Sequence, residues 1–474
     1  MSREAGNSHV RTLRLMLMLL GAFLVGYAIS DHPFYGGEPG FGRLQSLISA
    51  VGVGIAACAA LPRKFAERVL LVAVASLAML AFAEFAGELI LAPRHRPIFQ
   101  IDDKLIFKLI PNRSSVMTRS RENGGESIAH KINSEGFRGE ELIPRGTTPR
   151  VVVYGDSFIH APYMADRETF SAVLGDLLSA RIGSAIEVIN AGVSSYGPDQ
   201  VSLKMEVELP RLRPDLAIVA IFAGNDYGDL MRNKLFKIDP SDNLIDNEWT
   251  LDPGIRNQFE FSQRESILVR SLRIALRSLR LSGAEAASAS ARTDTSHHAR
   301  WSNLLQQSES EYNDYIINRN NVITNTHVDY YSANISLWPD SESTRYETRL
   351  MQAVMRRIRD VAAKSGVPLV FVFIPHPIDV VDMYDDWGAV DRKRYPEYSG
   401  INQTAALEAG AKLAGVPFIS LYAAYRAVDA NRFYFHHNDD HWNAAGQRIA
   451  AELVSARVAS TLLHRRGMID KRSR

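Results

Sequence analysis

Cysteine is almost missing from this sequence: Cys58 is the single one among 474 residues, and it lies inside an apolar run. One thiol excludes an intramolecular disulfide framework and a cysteine zinc cluster. A surplus of either charge is missing too, because the formal net charge is +1. The composition therefore gives no indication of a nucleic-acid partner or of an acidic polymer held by bulk electrostatics. The length allows one large domain or two to three smaller ones.

The first 92 residues are far more apolar than the rest and predict a membrane anchor. Three apolar runs come close to the ~17–25 residues that span a bilayer, at Leu15–Ser30, Leu44–Leu61 and Val69–Leu91. A cleaved signal peptide over the first run is an alternative, but the two runs that follow favour its retention. We therefore predict three transmembrane helices within residues 1–92.

Basic residues predict the orientation of this anchor. Arg3, Arg11 and Arg14 precede the first run, and the basic segment Pro62–Arg68 joins the second run to the third. The positive-inside rule places these segments in the cytoplasm, so the chain after Leu91 is exported. A cleaved first run leads to the same result. The predicted location is the inner membrane, multi-pass, with the C-terminal domain on the periplasmic side.

Glu84 and Glu88 lie one helical turn apart within the third apolar run. Charged side chains inside a bilayer are costly, so their presence needs an explanation. One interpretation is that they lie near the outer interface, close to Arg94 and Arg96. The other is a polar contact with a second membrane protein.

From residue 151 onward, short apolar strands alternate with helical patterns. Strands are predicted at 151–154, Ile186–Asn190, Asp215–Phe222, Pro368–Ile374 and Pro417–Leu421. Helices are predicted at Thr169–Ile182, Asp199–Leu212, Leu350–Lys364, Ala405–Ala414 and Ala444–Leu463. This alternation predicts an α/β fold with a doubly wound parallel sheet, whose ligands bind at the carboxyl ends of the strands.

Two further segments complete the predicted organisation. Residues 93–150 are rich in turn residues and predict a connecting segment of short strands and loops, packed on the domain 151–474. Residues 229–348 break the strand–helix rhythm and form an insertion. The insertion contains a helical stretch at Glu265–Leu281 and an Ala/Ser run at Gly283–Ser296. Its size predicts either a lid or substrate platform, or a poorly ordered loop.

A Gly-Asp-Ser turn ends the first strand and places the Ser157 hydroxyl at the edge of the sheet. A nucleophilic serine needs that exposure, a base, and hydrogen-bond donors for the oxyanion. Gly192 and Asn225 each follow the end of a later strand. The N–H groups of Ser157 and Gly192 and the Asn225 amide are therefore three candidate donors around one oxyanion. Asp156 and Asp226 are predicted to brace their turns rather than to catalyse.

The base is predicted in the segment 436–446, which reads HHNDDHWNAAG. His441 stands at the start of the last helix, with Asp440 and Asp439 one and two positions before it. His376 follows a predicted strand at the same edge, where it either lines the pocket or is structural. No metal or other cofactor is predicted, because the neighbouring His436 lacks an ordered set of carboxylate ligands.

The four stretches that contain Ser157, Gly192, Asn225 and His441, in this order, resemble those of the SGNH or GDSL-type serine hydrolases. The resemblance covers roughly 151–458, interrupted by the insertion, and implies a flavodoxin-like sheet. It also implies that Ser157 is the nucleophile, that Gly192 and Asn225 complete an oxyanion hole with the Ser157 N–H, and that His441 is the base.

The resemblance leaves the acid of the triad between two residues. In this family the acid usually stands three positions before the histidine, where this chain has Asn438. Members with a D-x-H-W-N pattern, including polysaccharide O-acetylation proteins of the alginate type, place it two positions before. Asp439 is therefore implied as the acid, with Asp440 as the alternative.

Location and resemblance together predict a membrane-anchored serine esterase or O-acyltransferase. The expected substrate is an ester, O-acetyl above all, on a cell-envelope polysaccharide, with a membrane acyltransferase as a further possible partner. The alternatives are a lysophospholipase-like lipid esterase and a non-catalytic scaffold for a membrane acyltransferase. The choice between hydrolase and transferase, the sugar or lipid and its linkage, and the oligomeric state stay open.

Overall fold

The structure, a computed structural model, describes residues 2–30, 42–90, 96–264, 266–268, 270–271, 297–328, 330–382, 384–385, 387–437 and 439–472. The predicted Ala/Ser run Gly283–Ser296, Asn438 and most of the predicted helix Glu265–Leu281 lie outside these residues. The chain divides into two compact units. The first comprises Met1–Pro97 and Pro253–Ser290, and the second comprises Ile98–Asp252 and Ala291–Arg474.

The first unit is helical. Its helices are Ser2–Ile29, Arg43–Ala57, Arg63–Ile90 and Pro253–Arg264. Two stretches of the described chain, Ser8–Ile29 and Arg63–Ile90, are long and apolar enough to cross a membrane by length and composition. The middle apolar run forms a helix of only 15 residues, followed by a 3₁₀ turn at Cys58–Ala60. Two of the three predicted spans thus have the required length, and the third stays a prediction.

Two glycines allow the first two helices to cross at very short range. A Cβ atom at Gly21 would lie 2.4 Å from the carbonyl oxygen of Gly52, and one at Gly52 would lie 2.8 Å from the Gly21 oxygen. Small residues at a crossing are characteristic of helix pairs in lipid, where close backbone contact replaces the hydrophobic effect.

Glu84 has a partner within its own chain. Its Oε1 accepts a hydrogen bond from the Ile267 N–H (2.7 Å), and its Oε2 accepts one from the Ser266 hydroxyl (2.7 Å). The carboxylate thus satisfies an otherwise unpaired N–H at the start of a helical turn. Glu88 pairs instead with Arg96 at 2.9 Å. Contact with a second membrane protein is therefore not needed to explain either side chain.

The second unit is built on a five-stranded parallel sheet. Its strands are β5 Arg150–Tyr154, β6 Glu187–Asn190, β7 Leu216–Phe222, β12 Leu369–Ile374 and β13 Phe418–Ser420, numbered by their order among all strands of the chain. Across the sheet they lie in the order β13-β12-β7-β5-β6. In order of appearance this is the 2-1-3-4-5 arrangement of flavodoxin-like sheets, which confirms the predicted fold class. The order reverses beside β5, so the loops after β5 and β7 open at the switch point where such folds bind ligands.

Helices connect and cover the strands of this sheet. They are Ser157–His160, Phe170–Ile182, Pro198–Leu212, Asp226–Asn233, Glu342–Lys364, Pro377–Val380, Asn402–Ala414, Tyr422–Arg426 and Ala444–Arg472. Residues in β5, β7 and β12 are all buried, as expected for central strands with both faces covered. The strands are thus held by apolar packing on two sides, which makes their carboxyl ends a rigid platform.

Small two-stranded sheets flank the main one. The connecting segment forms the antiparallel pairs β1 Phe99–Asp102 with β2 Ile106–Leu109 and β3 Arg113–Thr118 with β4 Ser127–Ile132. The insertion forms an antiparallel pair, β8 Phe236–Ile238 with β9 Leu244–Asp246, and a parallel pair, β10 Thr250–Leu251 with β11 Val322–Ile323. In this unit the insertion also forms the helices His297–Tyr312 and Ala333–Leu337, and a π-helical turn spans Asn313–Ile317. Its helix Pro253–Arg264 belongs to the first unit.

Both predicted ends of the insertion, 229 and 348, lie inside helices. The helix Asp226–Asn233 already contains residue 229, and the helix Glu342–Lys364 begins eight residues before the predicted start at Leu350. The second difference has a clear cause, because the Ser341 hydroxyl accepts a hydrogen bond from the Thr344 N–H and caps the helix there. Polar residues in the first two turns hide this start from a search for apolar periodicity.

Candidate active site

Ser157 lies directly after β5, at the start of a one-turn helix. The Asp156 side chain caps this turn, since its Oδ1 accepts a hydrogen bond from the Phe158 N–H at 2.9 Å. Asp156 is fully enclosed, and burial raises the pKa of its carboxyl to about 7. This position matches the predicted role of Asp156 as a turn residue. The cap fixes the backbone at Ser157, whose hydroxyl opens into a pocket.

His441 and Asp439 extend from Ser157 in a continuous hydrogen-bonded chain. Ser157 Oγ lies 2.7 Å from His441 Nε2, and His441 Nδ1 lies 2.8 Å from Asp439 Oδ1. Asp439 Oδ1 also accepts from the His441 backbone N–H at 3.2 Å, which ties the two residues into a local turn. The arrangement can move a proton from the serine to the imidazole while the carboxylate faces the opposite ring nitrogen.

The backbone around Trp442 holds the histidine in place. The Phe435 N–H donates to the His441 carbonyl at 2.8 Å, and Tyr434 and Trp442 form an antiparallel bridge. Trp442 is 1% exposed and packs edge-on against Phe158 with 5.1 Å between ring centroids. The last segment is therefore anchored in the same core that supports the serine.

Asp440 is not part of the hydrogen-bonded series Ser157–His441–Asp439, and it pairs with His376. Its Oδ2 accepts a hydrogen bond from His376 Nε2 at 3.1 Å, whereas its Oδ1 is 3.7 Å from His441 Nδ1. His376 Nδ1 accepts from the Ile378 N–H at 3.2 Å, so both ring nitrogens of His376 are engaged. Burial alone would raise the pKa of Asp440, but the hydrogen bond from His376 and the charge of His441 lower it to about 2.

The acids around His441 favour its charged form. Burial alone would lower the pKa of the imidazole, but the hydrogen bond to Asp439 and the charges of Asp440, Asp439 and Asp156 raise it to about 9. An imidazolium that forms next to Ser157 is therefore stabilised by its surroundings. The resting base is correspondingly hard to deprotonate at neutral pH.

Asn225 is placed as the sequence predicts. It follows β7, lines the same pocket as Ser157, and is 8% exposed. Among the described residues none accepts a hydrogen bond from its Nδ2 amide, and none accepts one from the Ser157 N–H. Asp226 Oδ2 accepts from the Phe222 N–H at 2.8 Å and so braces this loop, as expected. Two N–H donors are thus free to face an oxyanion.

Gly192 needs a correction, because its geometry does not support the predicted oxyanion role. Its N–H donates to the Asn190 side-chain oxygen at 3.1 Å, within its own loop. A Cβ atom here would lie 2.4 Å from the His160 backbone nitrogen and 2.8 Å from the Ile159 carbonyl carbon. Gly192 is therefore required for close backbone packing beneath the serine turn, and it does not line the pocket described for Ser157.

The insertion supplies pocket residues that sequence reasoning missed. The cavity beside Ser157 has a volume of about 260 Å³, and its walls include His327, Tyr330 and Tyr331 as well as His376. The three insertion residues come from the polar, Asn- and Tyr-rich part of the chain. No local motif marks them, since they reach the sheet edge only through the tertiary fold. They bring part of the insertion to the sheet edge, and its role as a lid or substrate platform stays a prediction.

One group of described residues has the spacing of a metal site: Asp439, Asp440 and His441 offer donor atoms within 4.8 Å of one another. These atoms are already engaged, since His441 Nδ1 bonds to Asp439 and Asp440 bonds to His376. His436, the other candidate ligand, pairs with Asp385 at 3.0 Å. The donor set is thus organised as hydrogen-bonded pairs rather than around a common point.

One family of proteins matches the C-terminal part of the chain. Residues 336–472 match the family described as "SGNH hydrolase-like domain, acetyltransferase AlgX". This range contains His376, Asp439 and His441, and it excludes Ser157 and Asn225. No curated protein sequence matches the chain.

Solved structures that are similar to this chain at low identity include the following three. A two-domain esterase active on acetylated mannans is 11% identical, with a TM-score of 0.33, over 67% of this chain and 50% of its own length. A lipase/acylhydrolase from Enterococcus faecalis is 10% identical, with a TM-score of 0.30, over 66% of this chain and 96% of its own. An acetylxylan esterase from Geobacillus stearothermophilus is 10% identical, with a TM-score of 0.32, over 66% and 94%.

Proposed function

We propose that this chain, an SGNH-type esterase or acetyltransferase by the family of its C-terminal part, transfers O-acetyl groups on a cell-envelope polysaccharide through Ser157, His441 and Asp439. The single observation that carries the proposal is the chain of contacts Ser157 Oγ to His441 Nε2 (2.7 Å) and His441 Nδ1 to Asp439 Oδ1 (2.8 Å). These contacts join a serine on a tight turn, a base and an orienting acid beside one pocket.

The reaction has two balanced halves. In the first, Ser157 Oγ attacks the ester carbonyl carbon while its proton passes to His441 Nε2, and the C–O bond to the sugar breaks as the sugar oxygen takes that proton. In the second, water or another hydroxyl gives its proton to His441 as its oxygen attacks the acyl carbon. The bond from that carbon to Ser157 Oγ then breaks, and Oγ takes the proton back from His441. Water as the acceptor gives hydrolysis, and a sugar hydroxyl gives transfer.

Asp439 is our choice for the acid because its distance from His441 Nδ1 is that of a hydrogen bond, whereas Asp440 Oδ1 lies 3.7 Å away. Asp439 then holds the imidazole with Nε2 toward Ser157 and stabilises the cation that forms. Asp440 adds negative charge near the ring, but its second oxygen is committed to His376.

The oxyanion in this proposal is held by two donors, the Ser157 N–H and the Asn225 amide. Gly192, the third donor inferred from sequence, is left out because its N–H is bonded to Asn190. Each remaining donor then carries more of the stabilisation, which is typically about 10²–10³ in rate per donor.

The size of the pocket supports a short acyl group. Its volume of about 260 Å³ lies below the ~300–1,000 Å³ of pockets that enclose drug-sized ligands. Its walls carry Asn225, His327, His376 and Asp440 among aromatic rings, so a long alkyl chain would meet polar groups. An acetyl ester fits this space better than a phospholipid acyl chain.

Export and anchoring form the remaining part of the proposal. The apolar helices Ser8–Ile29 and Arg63–Ile90 are the proposed anchor, and the basic residues around them place the C-terminal domain outside the cytoplasm. A reporter enzyme that is active only after export, fused behind residue 474, tests this. We expect activity of the fusion, and an inactive but intact fusion would contradict the orientation.

Labelling with a fluorophosphonate, read by intact mass, tests the chemistry directly on the full chain in detergent micelles. We expect one adduct on the parent and none on S157A or H441A. S194A is the matched control, because Ser194 also pairs with a histidine, His160 Nδ1 at 2.7 Å, but does not line the pocket. A folded parent without an adduct would favour the non-catalytic scaffold. With an active parent, preference for acetyl over long-chain esters separates the proposal from a lipid esterase.

A further inference from the structure

A second cavity, of about 430 Å³, lies in the same unit as Ser157 and is lined by aromatic and charged side chains. Trp301, at the start of the insertion helix His297–Tyr312, forms one wall. Trp387 and Tyr398, from the loop between the helices Pro377–Val380 and Asn402–Ala414, form another. We refer to this cavity as the aromatic groove. We propose that it binds sugar units of the polysaccharide that flank the ester held at Ser157.

The rings of the groove form a connected aromatic surface. The Trp301 and Trp387 centroids lie 5.6 Å apart at 63°, and those of Trp301 and Tyr398 lie 5.9 Å apart at 61°. Trp301 is almost fully buried and supports the other two rings from below, while Trp387 and Tyr398 are half-buried and keep part of their surface open to solvent. Flat rings that are rigid and partly open provide large contact area at low entropic cost, which suits the apolar faces of sugar rings.

Charged groups at the groove supply donors for hydroxyl or carboxylate oxygens. Arg392 is exposed and stacks on Tyr398 with 4.8 Å to the ring centroid, and Arg300 lies 4.3 Å above Trp387. Arg426 pairs with Asp382 at 2.7 Å. Among the described residues that line the groove, two guanidinium groups, those of Arg392 and Arg426, thus accompany one exposed carboxylate, that of Asp382. Guanidinium groups bind carboxylate oxygens well, which favours a carboxylated sugar over a neutral one.

The second acid among the described residues of the groove is Asp379, which differs from Asp382 in its surroundings. Asp379 is buried and accepts a hydrogen bond from the Tyr331 hydroxyl at 2.8 Å. Burial raises the pKa of Asp379 well above its ordinary value, which disfavours its charged form. The described part of the groove therefore presents two arginines, one exposed acid and one buried acid around its aromatic rings.

Ring contacts connect the groove to the Ser157 pocket. His376 and Tyr331 line that pocket, and their rings also contact Trp387, with centroid distances of 5.3 Å and 5.7 Å. A glycan chain with its ester at Ser157 thus has an aromatic surface only one ring layer away. The inference deepens the proposed function, since it names where the sugars next to that ester bind.

Binding to the full-length S157A variant in detergent micelles tests the groove without any reaction. The probes are xylohexaose, which is neutral, and an oligogalacturonate of similar length, measured by isothermal titration calorimetry. We expect W387A, in the S157A background, to weaken binding by about tenfold, as the loss of one aromatic contact predicts. Y398A should weaken binding as well, because the Tyr398 ring forms part of the same aromatic surface.

The matched control is W338A, because Trp338 is 44% exposed and does not line the groove. The proposal is overturned if W387A and Y398A bind the probes as well as the S157A parent does, or if W338A weakens binding to the same extent. It is also overturned if the S157A parent binds neither probe. Tighter binding of the oligogalacturonate, weakening as salt rises, supports the role of the arginines, and equal binding of both probes refutes that role. Fluorophosphonate labelling reports separately on Ser157, so a failure of the groove and a failure of the triad are distinguishable.

Discussion

Replacing Asp440 with asparagine changes the charge next to His441 without removing the hydrogen-bonded triad. The base must be neutral to accept the serine proton, so reactivity rises as pH passes through the pKa of His441, which the surrounding acids raise from 6.5 to about 9. At pH 7, about two units below that value, roughly 1% of the base is neutral. D440N removes one raising charge, so the rising limb of the pH profile should move to lower pH.

The distance between the two groups gives the size of this shift. Asp440 Oδ1 lies 3.7 Å from His441 Nδ1. Unit charges about 4 Å apart interact by about 1 kcal/mol in bulk water and about 4 kcal/mol at an effective dielectric constant of 20. Both side chains are partly exposed, at 26% and 36%, so the low end of this range applies. A loss of about 1–2 kcal/mol corresponds to a shift of roughly one pH unit.

The assay is the rate of fluorophosphonate labelling of Ser157, followed by intact mass as a function of pH for the parent, D440N and D439N. We expect D440N to react faster than the parent at neutral pH. D439N should lose most of its reactivity at every pH, up to about 10⁴-fold, because the amide no longer holds the imidazole in the required tautomer. A D440N profile that coincides with the parent, or a larger loss in D440N than in D439N, would refute this division of roles.

Three other substitutions test parts of the structure. N225A should lower kcat for acetyl ester hydrolysis by about 10²–10³ through loss of one oxyanion donor, and an unchanged kcat would exclude that role. G192A should lower the melting temperature or prevent folding, because its Cβ would collide with the backbone beneath the serine turn, and a stable variant would contradict this packing. E84Q should increase hydrogen–deuterium exchange at the Ile267 amide in micelles, with E88Q as the control, and equal exchange in both variants would show that the Glu84 contact is unimportant.

Much of the fold follows from local sequence, because its central strands are buried on both faces. The runs that became β5, β7 and β12 are almost purely apolar, and their predicted ends differ from the observed ones by a residue or so. Membrane helices are harder, as the second apolar run shows: its composition predicts a span, but the helix Arg43–Ala57 is short. Composition shows how apolar a run is, but the length of the helix that the run forms depends on where the backbone leaves the helical conformation.

The position of a site residue was predictable where the residue directly follows a strand. It was ambiguous where two adjacent residues were candidates for the same role. Ser157 and Asn225 follow strands whose carboxyl ends must meet, so their proximity was foreseeable. Asp439 and Asp440 are adjacent in sequence, and only the turn of the backbone decides which one faces His441. For Gly192, a hydrogen bond inside its own loop redirects the N–H, which no spacing rule reveals.

The separation of Ser157 from His441 has a consequence during synthesis of the protein. The two residues are 284 positions apart, and His441 is held by backbone contacts around Trp442. At about 5–20 residues per second, the serine leaves the ribosome roughly 15–60 s before its histidine. Throughout that interval the Ser157 hydroxyl is an ordinary alcohol with no base beside it. If Ser157 is the nucleophile, as proposed, it becomes reactive only when the C-terminal segment docks, and we expect the nascent chain to have no esterase activity before that point.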